Sequence, residues 1–126
     1  MSKSRIWASR IMVGLVVLFL FADSVGKLIK PQAVVDGTVA LGWPESMIVP
    51  LGMVLLISTL LYAYPRTSIL GAILLTGYLG GAVATHVRIS DPLFTHILFP
   101  VYLGVIAWGG LWFRDDRLQA LLPIRK

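Results

Sequence analysis

The chain has 126 residues, of which 57% are hydrophobic and 13% charged, with a mean hydropathy of +0.85, against roughly 25% charged in an ordinary soluble domain. A water-soluble fold of this length buries only about two-thirds of the surface its unfolded chain exposes, so the apolar excess would face solvent unless that solvent is lipid. The absence of cysteine excludes disulfides, thiolate metal sites and any thiol relay within the chain, and the charges behind the net +5 lie singly in loops and tails, which excludes a nucleic-acid surface.

Four spans of about 20 apolar residues fit in this length. The first runs from Ile6 to Gly26, with Arg10 and Asp23 near its two ends and Arg10 able to snorkel. The basic start, short apolar core and small residues at Ala22 and Ser24 also resemble a signal peptide, the less favoured of the two readings. In the connection from Lys27 to Glu45, Pro31 suits a first helical turn, Val34, Val35, Val39 and Leu41 recur at helical spacing, and Gly42 can stop a helix in the left-handed region. A short amphipathic helix along the outer interface, capping the open end of the bundle, is predicted there.

Span two runs from Ser46 to Tyr64, span three from Thr67 to His86 and span four from Pro92 to Phe113. Pro65 with Arg66, and Val87 to Asp91, make tight links between them. Arg114 to Lys126 is predicted to be a brief surface helix with Leu118, Leu121 and Leu122 on one face. Trp7, Trp43, Trp112, Tyr62 and Tyr64 fall near span ends, as interface-anchoring aromatics do. The fold class expected is all-α, a membrane-embedded four-helix bundle with a short interfacial helix between spans one and two, forming one domain over residues 1–126. Eight Lys and Arg on the side of the termini against three on the other place both termini in the cytoplasm.

Because lipid offers polar groups no partner, ionisable residues at membrane depth are the natural candidates for function. At 1.5 Å of rise per residue, Asp23 lies about 6 to 10 Å beneath the outer boundary and His96 about 6 Å. His86 ends span three and Glu45 opens span two. Pro50 and Pro100 are expected to free the carbonyls of Ser46 and His96 in the same layer. Asp23 precedes Lys27 by four residues, a favourable intrahelical pair, and can alternatively face the bundle and orient a histidine. Arg88 and Asp91 are expected to form a turn ion pair. His86 and His96 sit at the facing ends of adjacent antiparallel spans, where their side chains can converge on one outer pocket. Imidazole there suits proton exchange with a bound quinol, or a metal or heme iron, although the spacing matches no strong ligand motif.

Span three carries Gly77, Gly80, Gly81 and Ala84 in small-xxx-small pairs, a face for close packing inside the bundle or against an oligomer partner. Gly104, Gly109 and Gly110 read as packing positions in span four. No nucleotide-binding loop, helix-turn-helix or Ser-His-Asp arrangement is present.

The order of segments LFLFADSVGKLIKP, LGWPES, LYAYPRTSILGAILLTGYLGGAVATHVR and DPLFTHILFPVYLG resembles the small bacterial DoxX-like family of four-span membrane proteins, most specifically from Pro65 to Pro100. Asp23, Lys27, Pro31, Glu45, His86, Arg88 and His96 match the recurrent polar pattern of that family. The family takes its name from a membrane subunit of a thiosulfate:quinone oxidoreductase, so the resemblance implies a place in the bacterial inner membrane and an association with redox systems. Three functions follow as expectations. The first is a redox component binding a quinone or other apolar small molecule, with Asp23, Lys27, Glu45, His86, Arg88 and His96 as candidate binding residues. The second is a scaffold recruiting an oxidoreductase partner or a second copy through the glycine face. The third is a heme or metal enzyme with His86 or His96 as ligand.

Overall fold

The computed structural model describes residues 2–125. Helix α1 spans Lys3–Ile29; the hydroxyl of Ser2 accepts the amide of Arg5 at its start, and it stops where Lys30 turns left-handed (φ 59) ahead of Pro31. Helix α2, Gln32–Ala40, is the short helix expected after Pro31, and Gly42 ends it at φ +94. A 3-10 turn at Glu45–Met47 leads into α3, Ile48–Ala63, and another at Pro65–Thr67 leads into α4, Ser68–Arg88. A π-helical turn at Leu93–Ile97 precedes α5, Phe99–Arg114, and α6 covers Asp116–Leu121, capped by the carboxylate of Asp115.

Pro50 and Pro100 sit in the first turns of α3 and α5. They are helix starts, where a missing amide costs little. Span four breaks at the π turn that carries His96.

Helices α1, α3, α4 and α5, with the 3-10 and π turns that extend three of them, are each long and apolar enough to cross a membrane. Their outward faces are hydrocarbon: Leu18 is 70% and Phe94 71% exposed within the single chain. Length, hydropathy and this apolar exterior make the protein a multi-pass integral membrane protein. In cross-section α1 packs on α3 and α5, and α4 packs on the same two, so α1 and α4 lie diagonally.

The seams are closed by small residues. A Cβ on Gly71 would fall on the backbone of Tyr62, and one on Gly110 would meet Val13 Cγ2 at 2.8 Å. Gly77, Gly80 and Gly81, the face expected to pack, have no heavy atom within 4 Å of a Cβ position and look into open space, and Ala84 is exposed. Polar side chains at membrane depth mostly turn back on their own helix: Ser58, Thr59, Thr76 and Thr85 each donate to the carbonyl four residues earlier.

Tyr62 departs from its expected interfacial role. It is 0% exposed and donates its hydroxyl to the Ala107 carbonyl at 2.7 Å, tying α3 to α5. In the tail only Leu118 is buried; Leu121 and Leu122 are exposed, because α6 ends at Leu121 before a common face can form, and Lys126 lies outside the described residues.

Both ends of the chain meet at one end of the bundle. Arg5 Nε donates to the Phe113 carbonyl at 3.1 Å, and Arg114 Nη2 donates to Ser68 Oγ at 2.8 Å beside the α3–α4 turn. The opposite end carries α2 and both histidines.

Candidate functional site

At that opposite end the diagonal helices α1 and α4 leave a chamber of about 600 Å³, completed by α5, by Leu51 of α3 and by α2, within the roughly 300–1,000 Å³ usual for ligand pockets. Its deeper wall is apolar, from Phe19, Leu20, Leu79, Phe99 and Leu103, while Asp23, Lys27, Thr38, Thr85 and His86 bring polar groups toward the end that α2 covers. Gly77 and Gly81 make its α4 wall thin, which is where their open space goes.

On the α1 wall Lys27 Nζ donates to both carboxylate oxygens of Asp23 at 2.9 Å, the intrahelical pair that the spacing of four implied. The Lys27 side chain is only 14% exposed. Its charge is met by the carboxylate and by the C-terminal end of α1, in whose last turn it lies. The ammonium has three protons and spends two on Asp23, so one remains for a chamber occupant.

On the α4 wall His86 is held by a residue that sequence reasoning assigned elsewhere. Asp91 was expected to pair with Arg88; its Oδ2 lies 2.5 Å from His86 Nδ1. The cause is the helix end. Ser90 is left-handed (φ 57), the Asp91 amide donates to the His86 carbonyl at 3.1 Å, and the Ser90 amide donates to the Val87 carbonyl at 3.0 Å. This Schellman closure folds the chain back so that position 91 returns over position 86, whereas Arg88 points around the helix. With Nδ1 committed to a carboxylate, the ring is oriented and Nε2 is the nitrogen left for other chemistry. The sequence signal was a carboxylate just past a histidine that ends a helix.

Arg88 reaches across to α2, where Nη2 donates to the Leu41 carbonyl at 2.6 Å. The guanidinium occupies the place a side chain on Gly42 would take. Gly42 thus supplies both a positive φ and room for the strap that fixes α2 over the chamber.

His96 stands beside His86, its ring centroid 5.9 Å away in an edge-to-face arrangement. It is exposed, contacts Thr95 Oγ1 through Nδ1 at 2.8 Å, and does not line the chamber. Glu45 lies apart as well, 3.5 Å from Lys30 Nζ. Of the six candidate residues, then, Asp23, Lys27 and His86 line the chamber, Arg88 holds its cover, and Glu45 and His96 lie outside it. Tyr78, Thr38 and Thr85 join the wall without having been named as site residues, and so does Trp43, which was expected only as an interfacial anchor. Among the described residues no group of three or more His, Asp or Glu is placed to hold a metal ion.

Neither the curated proteins nor the solved structures yield a match to this chain. A family model does: residues 11–110, from the third turn of α1 to one turn before the end of α5, match the DoxX-like family, and the chain belongs to it.

Proposed function

We propose that this DoxX-like protein is a small membrane component of a redox system, and that its chamber binds a quinone or a similar apolar molecule carrying polar oxygens. The observation that supports this reading is the pairing of an apolar deep wall with two different hydrogen-bonding groups near the covered end. Lys27 can donate to a carbonyl from α1, and His86, oriented by Asp91, can accept from a hydroxyl from α4. A ring bearing oxygens on opposite edges uses both, and a hydrocarbon uses neither.

The chamber then lies in the periplasmic half of the inner membrane, with both termini in the cytoplasm. The eight-to-three distribution of Lys and Arg supports this orientation. A scaffold that recruits a partner through Gly77 and Gly81 has less support, since both glycines line the chamber.

The test is solvent extraction and mass spectrometry of gently solubilised protein, with anaerobic titration of a tail-free dimethoxy-methyl-benzoquinone in its reduced, hydroquinone form, which carries the hydroxyl that His86 can accept from. The expected result is saturable binding that His86→Gln and Asp91→Asn each weaken about tenfold, the loss of one charge-assisted hydrogen bond. No copurifying quinone and no saturable binding would overturn the reading.

A further inference from the structure

A second cavity, of about 460 Å³, opens on the outer side of the α4–α5 seam between Thr76, Gly80 and Val83 on one helix and Val101, Val105 and Trp108 on the other. Leu79 and Pro100 belong to the walls of both this groove and the chamber. Leu79 and Pro100 therefore stand between the two spaces. Leu79 is an unbranched-at-β side chain with alternative rotamers, packed at ordinary van der Waals distance from Gly104, where a Cβ would lie 3.8 Å from its Cδ1. Gly80 adds nothing to the obstruction, since no atom lies within 4 Å of a Cβ there.

The two spaces differ sharply in chemistry. The groove has two polar side chains, and they satisfy each other: Trp108 Nε1 donates to Thr76 Oγ1 at 2.8 Å, and the Thr76 hydroxyl donates to the Ala72 carbonyl at 2.7 Å. Nothing is left in the groove for a polar occupant, which would lose its water without recompense. A hydrocarbon chain loses nothing there. The chamber, by contrast, keeps a free Lys27 proton and His86 Nε2.

Building on the function proposed above, we infer that the chamber ligand is an amphiphile with one long hydrocarbon tail, prenyl or alkyl. Its head lies against Lys27 and His86, and its tail crosses the seam at Leu79 into the α4–α5 groove and so reaches the bilayer. The tail stays in lipid throughout, and the head enters from the membrane without passing through water. Helices α4 and α5 are accordingly the doorway, and α2 is a fixed cover.

The test compares two probes on the purified protein in lipid nanodiscs, the tail-free dimethoxy-methyl-benzoquinone and its decyl derivative, by saturable quenching of tryptophan fluorescence. Trp43 on the chamber wall and Trp108 in the groove report the two positions. Referred to the concentration of probe free in water, the decyl probe is expected to bind at least about tenfold more tightly, since a few methylenes taken out of water suffice for that factor. Gly80→Leu and Val105→Trp, which fill the groove from positions with space around them, are each expected to remove that preference while leaving the affinity of the tail-free probe unchanged. Equal affinity for the two probes in the wild type, or a preference that survives both substitutions, overturns the tail route and leaves the chamber as a head-group site. No saturable quenching by either probe overturns the chamber reading and this inference together.

Discussion

Gly71 and Gly77 lie six residues apart on α4 and look alike in sequence, yet the structure gives them opposite responses to the same substitution. Alanine in a helix interior is favoured over glycine by about 1 kcal/mol, and both positions receive that gain. At Gly71 the new methyl group would land on the backbone of Leu61 and Tyr62. Overpacking against side chains costs roughly 1–3 kcal/mol, and backbone yields less than a rotamer does, so the cost falls at or above the top of that range. The α3–α4 seam would have to open, straining the Tyr62 hydroxyl bond to Ala107 as well. The net expectation for Gly71→Ala is a loss of about 2 kcal/mol, or about thirtyfold in the folded-to-unfolded ratio. Gly77→Ala meets nothing within 4 Å and is expected to be neutral or to stabilise by up to about 1 kcal/mol. Reversible unfolding in mixed micelles of dodecyl maltoside and SDS, followed by circular dichroism, measures both. If the two variants agree within about 0.5 kcal/mol, the seam is not packed as described and the open α4 wall is not open.

Tyr62→Phe keeps the buried ring and removes one interhelical hydrogen bond, so the same unfolding assay should show a loss of about 0.6 to 1.7 kcal/mol. Ser90→Gly should leave stability unchanged or improved. Ser90→Val, β-branched at a left-handed position, should cost about 1–2 kcal/mol and break the His86–Asp91 contact, seen as a change in the ¹⁵N shifts of the His86 ring. Arg88→Gln and Gly42→Ala should each raise amide hydrogen exchange in α2 while exchange in α3 and α5 stays at wild-type rates, because both loosen the contact at Leu41 that straps the cover down. Asp116→Asn removes the partner of Arg5 at a site 81% exposed, and the unfolding midpoint should move by less than the equivalent of about 0.5 kcal/mol.

Height along the membrane normal was legible from sequence, and rotation about it was not. Lipid forbids unsatisfied backbone, so each crossing must be a helix of about 20 apolar residues, and the number and order of the crossings follow from the apolar runs along the chain, their ends to within a few residues except where the π turn interrupts span four. Pro31 and Gly42 marked α2 for the same reason, since each imposes a local backbone geometry that needs no tertiary partner. The layer expected to hold Asp23, Glu45, His86 and His96 came from counting residues at a fixed rise, and of these the structure brings Asp23 and His86 to the chamber wall.

Which way each side chain faces in that layer was decided by packing. A lipid-facing helix is apolar nearly all round, so hydrophobicity marks no inner face, and small residues serve equally to admit a neighbouring helix or to leave a hole. Gly71 admits α3 while Gly77 and Gly81 open the chamber, and only the diagonal placement of α1 and α4 distinguishes them. The same placement puts Tyr62 inside instead of at the interface. Asp91 is paired with His86 because one left-handed serine reverses the chain, a choice between two partners of nearly equal sequence distance that spacing does not resolve.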